Sequence, residues 1–166
     1  MSVNKSANQI ELFPLGKDKD IIYKALMKNE DLCELVLGEN NKTGNFKNHF
    51  YNRLIIDTTQ LEAKTYITMD TVIDRVDKKT KCIGIIIDVF SSLRSVDLTT
   101  SEQIKFYKKS YFGNRIDILL DIIKRTVSDL DIGIGETTLN PINPVKIIQP
   151  TPEFYGKRII FQAYDF

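Results

Sequence analysis

The sequence predicts an α+β domain: a mostly antiparallel sheet of about four strands, two main helices packed on it, and an extended N-terminal arm. Segments 18–37 and 115–130 repeat apolar residues at three- and four-residue spacing, the period of a half-buried helix. Segments 64–76 and 81–93 are rich in β-branched residues and flank the polar run VDKKTK, the pattern of a hairpin. The chain closes on two further β-type runs, PVKIIQP (144–150) and KRIIFQAYDF (157–166), joined by TPEFYG with its Pro and Gly. One core is enough for 166 residues. The expected organisation is an arm over 1–17 and a single domain over 18–166.

The arm is polar apart from Ile10, Leu12 and Phe13, which precede Pro14 and Gly16. A segment with so few apolar residues frays unless it packs on something, and a neighbouring subunit is one such support. The first helix reads Ile21, Ile22, Ala25, Leu26, then Leu32, Leu35 and Val36. Asp18 or Asp20 can cap its start, Asn29-Glu30-Asp31 interrupts it, and Gly38 suits its end. Residues 38–54 form a polar loop that exits through Phe46, Phe50 and Tyr51 and carries the single histidine, His49, expected at the surface. The run Ile83 to Val89 is almost wholly apolar, so its strand is expected at the centre of the sheet, covered on both faces.

The connection over 94–112 contains no Gly or Pro and has room for a short helix over 101–108. Its aromatic residues are Phe106, Tyr107, Tyr111 and Phe112. Asn114 then caps a helix whose stripe is Ile116, Leu119, Leu120, Ile123, Val127 and Leu130, with Asp117 in the first turn. Arg115, Asp121, Lys124, Arg125 and Asp129 fall mostly off the stripe, while Ile118 and Ile122 extend the apolar surface to a second side. Burial of the stripe is worth on the order of 10 kcal/mol before entropy costs.

Composition narrows the chemistry. Charged residues make up 27% of the chain and the net charge is +1, which gives no electrostatic reason for nucleic-acid or membrane binding. Cys33 and Cys82 have no CxxC partner and read as reduced, partly buried thiols. The longest apolar runs contain Asp and are too short to span a bilayer. Gly133-Ile134-Gly135 follows a helix and precedes a strand, the reverse of a dinucleotide fingerprint, and the nearby helix C-terminus repels phosphate. Ser91-Ser92 lacks a nucleophile elbow, and the acidic residues lack metal-loop spacing. No catalytic, cofactor or metal residues are assigned, and the chain is not expected to be an enzyme.

The pairing of YFGNRIDILLDIIKRTV (111–127) with GIGETTL (133–139) and PEFYGKRIIFQAYDF (152–166) resembles neck proteins of tailed bacteriophages, most of all the tail-terminator and head–tail joining group. The early helix IIYKALMKNEDLCELVLG (21–38) is similar too, and the likeness spans about two thirds of the chain. The resemblance implies a virion protein, made in the host cytoplasm, that assembles with copies of itself into a ring, commonly a hexamer. Such a ring meets the portal, connector or head-completion protein on one side and the tail tube on the other. DNA passes through its lumen without specific binding, which strong positive charge would hinder. Another tail or baseplate component, or a part of a tail-like particle, is an alternative; so is a small intracellular enzyme or ligand-binding domain. Aromatic residues on polar loops favour interfaces. The expected contact segments are therefore Ile10, Leu12 and Phe13 of the arm; Phe46, Phe50 and Tyr51; and Phe106, Tyr107, Tyr111 and Phe112.

Overall fold

The computed structural model describes residues 15–38, 43–54, 61–62, 64–76, 81–130 and 140–165. In chain order these form α1 (Leu15–Lys28), α2 (Glu30–Leu37), a 3-10 helix (Thr43–Asn48), β1 (Phe50–Tyr51), β2 (Thr65–Val76), β3 (Lys81–Ser92), α3 (Thr100–Lys108), α4 (Arg115–Ser128), β4 (Asn140–Ile148) and β5 (Phe154–Asp165). The fold is α+β, but the sheet is mixed and has five strands, in the order β1-β2-β3-β5-β4. Three neighbouring pairs are antiparallel, and the short β1 runs parallel to β2. Among the described residues four α-helices accompany it: the first main helix is split at Asn29 into α1 and α2, α3 fills the short-helix segment, and α4 is the second main helix.

The first helical segment divides where its pattern breaks. Asn29 is extended, and its side chain accepts the Leu32 N–H at 3.0 Å, which caps α2. Gly38 ends α2 at a φ of 87°, in the left-handed half of backbone space where a Cβ is strained. The helix begins at Leu15, so the last residues assigned to the arm are helical. Ile10, Leu12 and Phe13 lie outside the described residues, as do Gly133 and Gly135 and the 77–80 turn between β2 and β3.

The capping of α4 follows its sequence. The Asn114 side chain accepts the Asp117 N–H at 3.0 Å, and Asp117 returns a bond from the Asn114 N–H. Its stripe from Ile116 to Val127 is buried, and so are Ile118 and Ile122, because α4 packs on β3, β5 and β4 and also against α1 and α2, which lie beside it over β2. Opposite it, alternate strand residues Ile67, Met69, Ile85, Ile87, Val89, Ile159 and Phe161 complete the main core. The reverse face carries a smaller cluster, Tyr66, Phe90 and Phe154, with Tyr51, Leu61 and Ile148 against it.

β3 is central, as its apolar run implies, with β2 and β5 on either side. On its reverse face Asp88 takes two bonds from its cross-strand neighbour Arg158, at 2.6 and 2.7 Å. β5 starts at Phe154, so Tyr155 and Gly156 lie inside a strand and not in a turn. Gly156 has no room for a side chain: a Cβ there would sit 2.4 Å from the Val89 carbonyl oxygen and 2.5 Å from the Phe90 Cβ.

β4 begins four residues before the expected start at 144 and includes Pro141 and Pro144. Proline lacks the N–H that a central strand needs, but β4 is an edge. Pro141 pairs with Phe161, and the register slips between Ile142 and Lys146, around Pro144.

Candidate functional site

The expected contact residues separate into buried and exposed sets. Phe46 and Phe50 are not surface anchors. Both are core residues, stacked at 5.9 Å and closed over by Tyr23, which meets Phe50 edge-on at 4.9 Å. Their burial brings the chain to the sheet edge, where the Ile67 N–H bonds the His49 carbonyl at 2.8 Å and β1 forms. Tyr51 is half-buried beside Tyr66. Phe106 is fully enclosed, with 0% of its surface exposed. Tyr111 is half-buried, edge-on to Phe106 and under the Arg125 guanidinium at 4.9 Å.

Tyr107 and Phe112 remain at the surface, 38% and 63% exposed, with ring centroids 5.3 Å apart. Ile104 joins them at 54% exposure, one helical turn before Tyr107. The sequence reading missed Ile104, although its spacing from Tyr107 was a usable signal once 101–108 was read as a helix. A second exposed apolar pair, Val145 and Ile147, lies on the edge strand β4.

Local structure fixes the patch. Thr99 caps α3, taking the Glu102 N–H while its own N–H bonds Glu102 Oε2 at 2.8 Å. At the other end Ser110 adopts a φ of 63°, and its N–H and that of Tyr111 bond back to the Tyr107 and Phe106 carbonyls. This turn brings Phe112 against Tyr107. The Gln103 amide donates to the Tyr107 hydroxyl at 3.2 Å.

α3 is fastened to the body by charge as much as by apolar packing. Arg115 is buried, although its position in the helical pattern placed it off the stripe. Its Nη1 and Nη2 reach the two Glu102 oxygens at 3.0 and 2.7 Å, its Nε the Ser95 carbonyl at 2.7 Å, and Nη1 also the Leu35 carbonyl at 2.8 Å. Burial alone would raise the Glu102 pKa; the bonds from Arg115 and Thr99 outweigh it and hold the carboxyl below its ordinary range. Lys105 pairs with Glu34 and Lys109 with Asp31, tying the outer side of α3 to α2.

His49 is buried rather than superficial, at 7% exposure. Its ring stacks on Tyr66 at 5.5 Å, and its Nδ1 lies 2.8 Å from the Thr65 carbonyl. A carbonyl only accepts, so Nδ1 carries the proton. Burial lowers the His49 pKa, against the opposing pull of the Thr65 bond. Cys33 and Cys82 are buried and not in a disulfide, and among the described residues no His, Cys, Asp and Glu side chains gather into a metal-sized group. No helix among the described residues is long and apolar enough to cross a membrane.

The model of the YomW family matches residues 19–163, a span that includes both exposed apolar groups. The chain belongs to the YomW family. No curated protein matches it. Among solved structures, a chain of the "Virion of native gene transfer agent (GTA) particle" is similar at 10% identity and a TM-score of 0.49, over 92% of this chain and 98% of that one. In this YomW-family chain Ile104 and Tyr107 lie on α3, and Phe112 follows the turn at Ser110 and packs against Tyr107.

Proposed function

We propose that the chain is a structural, non-catalytic virion subunit that assembles with copies of itself into a ring in a phage neck. There it ends the tail tube and joins it to the portal or connector side of the head. The observation that carries the reading is the Ile104, Tyr107 and Phe112 patch, three large apolar side chains held in the open, two on a helix capped at its start and the third folded back against it by the turn at Ser110. Isolated exposed apolar residues need no explanation, but a contiguous, pre-ordered aromatic group is what an interface core uses, since little side-chain freedom is lost on contact. The likeness of 111–127 and 152–166 to neck proteins supplies the kind of assembly. The partners are then a second copy, the head-completion or connector protein, and the tail tube, with DNA passing through unbound.

The test is solution mass over a concentration series, with negative-stain images, for the unchanged chain and for a Tyr107→Ser/Phe112→Ser variant. Closed rings in the first and their loss in the second, with unchanged circular dichroism, are the expected result. Because some rings close only on their tail, both proteins are also mixed with tail tubes and examined for capped ends. A variant that assembles and caps like the parent removes α3 from the interface.

A further inference from the structure

Away from that patch, a half-open cavity of about 380 Å³ lies where α2 ends, within the size range of small-ligand sites. Among the described residues it is lined by the last turn of α2 (Leu35, Val36, Leu37 and Gly38), by Asn45, Asn48 and His49, by Lys64 and Thr65 of the β2 approach, and by Ser95, Glu102 and Arg115. Two of these, His49 and Arg115, are more than nine-tenths buried and keep hydrogen-bonding capacity in reserve.

His49 spends Nδ1 on the Thr65 carbonyl, and its Nε2 has no hydrogen-bond partner among the described residues. With Nδ1 protonated, the neutral ring offers Nε2 as an acceptor. A guanidinium has five N–H groups, and Arg115 uses four: one on Ser95, one on Leu35 and two on Glu102. The second Nη2 hydrogen has no partner among the described residues. His49 and Arg115 both line the cavity and between them keep one unspent acceptor and one unspent donor, and the side-chain amides of the lining residues Asn45 and Asn48 can serve either way.

Charge selects the class of guest. The Arg115 charge is met by Glu102 and that of Lys64 by Glu62. The C-terminal end of α2 adds partial negative charge, which disfavours an anion. A cation would meet the Arg115 guanidinium. A neutral group that both donates and accepts satisfies every member.

From this we infer that the cavity at the end of α2 is a binding site for a neutral amide, either a peptide group or an Asn or Gln side chain of a partner polypeptide, accepting from Arg115, donating to His49 Nε2 and sharing a third hydrogen bond with the Asn48 side chain at the cavity mouth. The site is separate from the α3 patch and stands or falls independently of it.

The single histidine makes the experiment direct, because its ring resonances need no assignment. The folded chain is titrated with acetamide for the side-chain amide and N-methylacetamide for the peptide group. Acetate and methylammonium serve as charged guests of similar size. Expected is a saturable shift of the His49 Nε2 signal in the millimolar range with one or both amides, the tighter one naming the source. An Asn48→Ala variant, altered at an exposed lining residue, should bind about threefold to tenfold more weakly, the share of one hydrogen bond. A response that stays linear with every guest means a water-filled cleft and overturns the inference. So does saturation by acetate or methylammonium to the same degree as by the amides, or an amide affinity that Asn48→Ala leaves unchanged.

Discussion

Replacing Arg115 by Met keeps most of the side-chain bulk and removes the guanidinium that bolts α3 to the rest of the fold. The four hydrogen bonds it donates disappear with it, two to backbone carbonyls and two to Glu102. The Glu102 side chain, only 6% exposed, is left with Thr99 as its remaining partner. Breaking a buried pair from one side costs about 3–5 kcal/mol, mostly for the stranded charge. Adding Glu102→Gln removes that charge while keeping an acceptor for Thr99, so the double variant should be more stable than Arg115→Met alone, by about 1–3 kcal/mol.

The sign of the pH dependence separates this account from simple loss of packing. In the parent the folded Glu102 pKa lies below its unfolded value. Its contribution is therefore fully present above the ordinary carboxylate range and is lost as pH falls through the folded pKa. In Arg115→Met, burial is no longer opposed by the guanidinium, and protonation of Glu102 relieves the variant. The stability gap between parent and variant should narrow as pH falls from 7 towards about 4. Urea unfolding followed by far-ultraviolet circular dichroism at several pH values measures this. The reasoning fails if Arg115→Met loses less than about 1 kcal/mol, if the double variant is the less stable of the two, or if the gap is independent of pH.

Three further outcomes are expected. Phe106→Ser should cost about 3–5 kcal/mol by thermal or urea unfolding, because Phe106 has no exposed surface, whereas Tyr107→Ser should change stability by less than about 1 kcal/mol. Gly156→Ala should destabilise by about 1–3 kcal/mol, since the new Cβ meets backbone on β3; a neutral result would mean that β5 shifts freely. The His49 pKa is lower folded than unfolded, so its contribution is complete above the unfolded value near 6.5 and is lost as pH falls through that value towards the folded one. Urea midpoints at pH 7.5 and 5.5 should differ less in His49→Phe than in the parent, and an equal difference would remove His49 as the cause.

What the sequence shows well is local. The Asn114 and Asp117 cap, the α4 stripe and the Asn29 break are each settled within one or two helical turns, and the structure keeps all three. Pairings across the chain are another matter. β1 is two residues long and exists because Phe46 and Phe50 pack into the core beside β2, which nothing in a polar loop announces. The Pro141 end of β4 runs against strand propensity and depends on its edge position. The aromatic residues of 106–112 look alike in sequence; helical period separates them, with Glu102 and Phe106 one turn apart and buried, and Ile104 and Tyr107 one turn apart and exposed. The burial of Arg115 follows from Glu102, thirteen residues away, and is invisible to any local pattern.

The two prolines of β4 bear on how such a subunit can multiply. An exposed edge with apolar Val145 and Ile147 would ordinarily invite a neighbour's strand, and then another, into a fibre with no natural end. Pro141 and Pro144 have no N–H to give to a ladder, and the register of β4 on β5 slips between Ile142 and Lys146. A strand arriving there meets a β4 whose own pairing is interrupted by that slip. Endless strand addition is disfavoured at so irregular an edge, which leaves contacts between side chains as the route by which copies would meet.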